Sequence, residues 1–139
     1  MPFSFAFDSA NKVLLAKFEG RITDETMLEF YDVAKRLIAS ASVFRGTIVD
    51  FSPVAEFEVR PETIREVAWS PPIDPEPSRP FVAVAPTAQV FDIMWILPAE
   101  GHETRPNFHL VKSLEHAYAI VGITSANFEP LVPRSLAGQ

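Results

Sequence analysis

The sequence predicts an α/β fold: one mixed five-stranded sheet, opened by an N-terminal hairpin, continued by parallel strand–helix units and carrying four helices. Three observations carry that prediction. Phe3, Phe5 and Phe7 alternate with Ser4 and Ala6, the period of two of a strand with one apolar face. The runs Gly46-Thr47-Ile48-Val49 and Phe81-Val82-Ala83-Val84-Ala85 hold no charge, as expected of strands covered on both faces. Between the apolar runs, apolar residues recur at three- and four-residue intervals, which lines one face of a helix.

Taken in order, Asp8-Ser9-Ala10-Asn11-Lys12 has the polar side chains that satisfy turn backbone, and residues 13–19 form the second hairpin strand, ended by Gly20. Thr23 is suited to cap a helix, and Asp24 and Glu25 put negative charge at the positive end of its dipole. Met27, Phe30, Tyr31, Ala34, Leu37 and Ile38 give that helix, over 24–39, its apolar stripe. Residues 46–51 are the third strand and 53–60 read as a loop. Pro61 opens a short helix to about Trp69, with Ile64, Val67 and Ala68 inward. Residues 70–80 carry five prolines and read as a stiff surface connection; a proline-rich ligand for a partner is the sharper alternative. After the fourth strand, 81–85, Thr87 caps a helix over 88–97, Pro98 closes it, and 99–106 are a polar loop. The fifth strand is 107–112. Ser113 caps the last helix, whose stripe is Leu114, Ala117, Tyr118 and Val121, and Gly122 stands at its end. Residues 1–122 form one domain, and 123–139 are a tail without periodicity.

Composition narrows the function. A chain of 139 residues, 47% hydrophobic with 12 Phe, can bury a real core. It has no cysteine, which excludes disulfides, thiolate nucleophiles and Cys-based metal sites. The net charge of −6, with 12 scattered basic residues, disfavours nucleic acid as a partner. The opening Met1-Pro2-Phe3-Ser4 shows no basic region followed by a long apolar run, and no segment is apolar enough to span a bilayer. A cytoplasmic protein is the expectation.

The hairpin Phe5-Ala6-Phe7 with Val13-Leu14-Leu15-Ala16-Lys17-Phe18-Glu19-Gly20, the helix from Thr23, the strand Thr47-Ile48-Val49-Asp50-Phe51-Ser52, and the closing Leu114-Glu115-His116-Ala117 helix ending in Val121-Gly122-Ile123 resemble the SpoIIAA-like (STAS-like) proteins. The likeness spans residues 3–123 and lies in order and spacing. It implies a SpoIIAA-like fold and a regulatory or binding role without a cofactor. In the anti-sigma-factor antagonists of that family, a serine at the start of the helix after the third strand accepts phosphate from a partner kinase. Here that stretch reads Glu56-Phe57-Glu58-Val59-Arg60-Pro61-Glu62 and holds no serine. Thr63 is a poor substitute beside Glu62.

Ligands of α/β sheets bind at the carboxyl ends of the strands. That rim would hold Asp50, Ser52, Thr87 and Ser113, with Asp50 as anchor or base and Ser52 as a hydroxyl contact. The plainer reading is that Asp50 and Ser52 satisfy their loop and that Thr87 and Ser113 only cap helices. His102, His109 and His116 have no spacing that suggests a triad or a metal site. The segment 89–97 is apolar almost all round, interrupted by Asp92. A helix on one sheet needs a single apolar stripe, so Phe91, Met94, Trp95 and Ile96 call for a cover. A second copy of the chain is the favoured cover, followed by the tail, then a lipid-like ligand. The sum is a non-enzymatic, homodimeric module for a protein or for a small apolar or amphipathic ligand. A small hydrolase working at Asp50/Ser52, or a phosphoregulated antagonist, is the alternative.

Overall fold

The structure, a computed structural model, describes residues 2–40 and 43–131. The chain runs β1 (Phe3–Asp8), β2 (Val13–Phe18), β3 (Gly20–Thr23), α1 (Asp24–Ser40), β4 (Gly46–Asp50), β5 (Val54–Glu58), α2 (Pro61–Trp69), β6 (Phe81–Val84), α3 (Ala88–Met94), α4 (Ile96–Gly101), β7 (Phe108–Val111), α5 (Leu114–Val121) and β8 (Glu129–Pro130). The fold is α/β. Six strands form a mixed sheet in the order β7-β6-β4-β2-β1-β8. The hairpin β1–β2 is antiparallel, and β2, β4, β6 and β7 are parallel neighbours, as the strand–helix alternation requires.

Alternation sorts the side chains into two layers. On one face Phe3, Phe5, Leu14, Phe18, Val49 and Ala83 pack against α1, α2, α3 and α4. On the other, Val13, Leu15, Ile48, Val82 and Val84 meet α5 and the start of the tail. The first layer explains the phenylalanines. Phe3, Phe5 and Phe18 each touch Phe30 of α1, and Phe18, Phe51 and Phe57 carry the aromatic chain outward.

Three expectations need correction. The sheet has six strands rather than five, because the tail returns as β8 beside β1 (Ala6 opposite Pro130). The hairpin turn holds it there. The buried Asp8 carboxylate accepts the N–H groups of Ala10 and Asn11, the Asn11 side-chain amide, and the N–H of Asn127 at 3.0 Å. The rest of the tail, 132–139, lies outside the described residues.

Second, Gly20 does not end the strand region. At φ +77° it turns the chain into β3, which pairs in parallel with β5, the segment read as a loop. Arg21 clamps that ribbon by two hydrogen bonds to Glu58, which hold the Glu58 carboxyl down to about 2.

Third, Pro98 does not close its helix. The N–H it lacks would have bonded the carbonyl of Met94, so the ladder breaks there. The chain stays helical through Trp95, and Pro98 falls in the first turn of α4, where no N–H is needed. Thus the helix expected over 88–97 becomes α3 and α4 and continues to Gly101.

The remaining caps follow the sequence. The N–H of Val90 donates to Thr87 and that of His116 to Ser113, and Gly122 closes α5 in the left-handed conformation at φ +79°.

Candidate functional site

The expected rim forms as topology dictates. Asp50 lies opposite Val84, and Val84 opposite Val111, so the ends of β4, β6 and β7 stand side by side. Its polar groups are occupied locally. Asp50 is buried, and its Oδ1 accepts the N–H of Ser52 at 2.9 Å. Thr87 and Ser113 cap α3 and α5 at 3.4 and 3.1 Å, and Ser52 is exposed. His109 bonds to Asn107, and His102 and His116 stand exposed on other elements. Thr63 is buried, and its hydroxyl donates to Asp24 at 2.8 Å. Asp24 also accepts the N–H of Arg60, and so bridges the starts of α1 and α2. Among the described residues no three His, Asp or Glu side chains are grouped to hold a metal.

The apolar helix is covered mostly by its own chain. Met94 is 4% exposed and Val90 3%, and both face the sheet. Phe91 and Ile96 are half-buried against the same core. The second face of the helix meets α2, which packs along α4. Trp95 alone stands out, 55% exposed, stacked on Phe91 at 6.2 Å. The Lys112 ammonium sits 4.9 Å from the Phe91 ring centre.

Space for a ligand lies at the other end of the sheet. Phe81 and Phe108 are the first residues of β6 and β7. There the proline-rich connection crosses the ends of α2 and α4 and roofs a pocket of about 50 Å³. A second cavity, of about 40 Å³, lies deeper, between the sheet and α1, α2 and α4. Val67, Ile73, Phe81, Leu97 and Phe108 belong to both, so one apolar wall joins them. The inner walls are apolar side chains throughout, apart from the Tyr31 phenol.

The mouth is polar and built. Asp74 takes both prongs of Arg79 at 2.8 and 2.7 Å, and Arg79 reaches on to the carbonyl of Phe44. This pairing raises the Arg79 guanidinium above its ordinary value. The Tyr31 hydroxyl donates to the carbonyl of Pro71 and fastens the connection to α1. Arg105 donates to the carbonyls of Val67, Ala68 and Ser70 at 2.7–3.1 Å, which closes the end of α2. Burial lowers its pKa. The sequence carried one signal of this place: five prolines around a lone Ile73 and the Asp74/Arg79 pair. Nothing in spacing alone joined them to Leu97 or Arg105.

Comparison of the chain with protein-family models, with curated proteins and with solved structures finds no match.

Proposed function

We propose that this chain is a non-enzymatic, SpoIIAA-like binding module that takes a small apolar or amphipathic ligand in the paired cavities beneath residues 70–80. One observation carries the reading: two adjoining spaces with an apolar interior and a polar mouth, the usual construction of a small-molecule site. The local bonding of Asp50, Thr87 and Ser113 supports the same reading, because their oxygens serve the backbone.

Titration with 1-hexanol, followed in two-dimensional amide NMR, tests it. The largest shifts are expected at Val67, Ile73, Leu97 and Phe108. Shifts centred on Asp50, Ser52 and Ser113 would move the site to the rim and revive the hydrolase reading. Ala83 lines the inner cavity without exposure, so Ala83→Ile is expected to fill it and abolish the response.

Self-association is a second reading, favoured by Trp95. A stacked, exposed Trp is a common anchor at the centre of an interface. Light scattering is expected to show a dimer that Trp95→Glu dissociates. A monomer at all concentrations would remove this reading and leave the cavity untouched.

A further inference from the structure

We propose that the ligand is a short aliphatic carboxylate, its chain of roughly six to eight carbons lying along Ile73 and Leu97 and its head against the Arg105 guanidinium. The proposal rests on the cavity being the binding site and adds the chemistry of what fills it.

Size sets the chain. A water-sized site takes about 10–15 Å³ measured in this way, so the spaces of about 50 and about 40 Å³ hold a handful of such sites each at most. A methylene is close to a water in volume. A long acyl chain would overfill the space, whereas six to eight carbons fit once Ile73 yields.

Charge sets the head. Four charged side chains line the mouth: Asp74, Glu76, Arg79 and Arg105. Asp74 and Arg79 neutralise each other through two hydrogen bonds. Glu76 is exposed, and its Oε1 accepts the N–H and hydroxyl of Ser78. Arg105 is half-buried and is the cation of the mouth with no carboxylate partner. Its acceptors are all neutral, three carbonyls and the Thr104 hydroxyl, and its Nε–H meets no acceptor among the described residues. A guanidinium held in place, partly desolvated and without a carboxylate favours an anion over a neutral or cationic head. Leu97 and Val67 beside it supply the apolar surface for the chain. Arg105 is therefore both the cap of α2 and the residue that selects the head group.

The test compares hexanoate, 1-hexanol and hexylammonium on the intact chain by amide NMR titration. Equal chain length isolates the head. Hexanoate is expected to bind about tenfold tighter than hexanol, the effect of one added charge-assisted hydrogen bond, with hexylammonium weakest. Arg105→Lys is expected to keep part of the preference and Arg105→Gln to erase it. The preference is read first on the unsubstituted protein, so loosening of α2 in the variants does not decide it. Equal affinity for hexanoate and hexanol would overturn the carboxylate inference and leave the cavity as the site. Absence of cavity shifts with all three would overturn both. Hexanoate shifts confined to exposed lysines would do the same.

Discussion

Arg105 and Asp8 show how much one side chain organises. Arg105 reaches back 35 to 38 residues to three carbonyls at the end of α2, one of which, that of Val67, also accepts the N–H of Ser70. Arg105→Ala is expected to cost about 2 kcal/mol in urea unfolding, because hydrogen bonds from a charged donor are lost together. Asp8 binds the hairpin turn to the tail. Its folded pKa is lowered below 3.8, first by the Asn11 N–H, then by the Asn11 side chain and the N–H of Asn127, against the opposing effect of burial. A lowered carboxyl pKa adds stability above the unfolded value, and that stability disappears as pH falls through the folded value. Asp8→Asn is therefore expected to be less stable than the parent near neutral pH and to converge with it as pH falls through the lowered folded value. A constant difference across urea melts from pH 7 to about pH 2 would show that the charge has no part in the tether.

Elements whose own sequence decides their shape were legible before the structure. The hairpin, α1, α2, α5 and the central strands follow from period, capping residue and stop signal. Others depend on partners distant in sequence. β8 is two residues long, one of them proline, and exists because Asp8 and Asn11 hold the chain beside β1. β5 is mostly exposed and charged, so it reads as a loop until β3 pairs with it. The apolar excess of 89–97 needed no second molecule for Val90, Met94 and Leu97, because α2 shields what the sheet does not. Periodicity finds a second apolar face but cannot name its cover. The seam between α2 and α4 is tight at Gly101, where an added Cβ would stand 2.9 Å from Arg105 Nη1 and 3.1 Å from the carbonyl oxygen of Ala68. Gly101→Ala is thus expected to destabilise by about 1–2 kcal/mol through overpacking and displacement of Arg105. A neutral result in thermal melts would show that the seam gives way freely.

For the molecule as a whole, two unequal layers determine where a ligand can sit. The α5 layer covers a single flank of the sheet, whereas the thicker layer of α1 to α4 closes imperfectly over the amino ends of β6 and β7. The strand-end rule points to the opposite rim, and there the side chains of Asp50, Thr87 and Ser113 are bound to the backbone. The cavity escapes sequence reading because its walls come from six separate segments, within 27–31, 49–51, 64–67, 72–83, 94–97 and 104–108. Imperfect packing has a stability consequence too. Ala83→Ile is expected to raise stability by about 0.5–1 kcal/mol as it fills the inner space, a gain bought at the expense of binding.

The most direct measurement is a crystal structure of the chain grown with hexanoate. The account predicts an aliphatic chain between Ile73 and Leu97, its carboxylate within hydrogen-bond distance of Arg105, and the proline-rich connection shifted to admit it. Hexanoate at the Asp50 rim or stacked on Trp95, with the space beneath residues 70–80 closed over an unaltered Ile73, would contradict it.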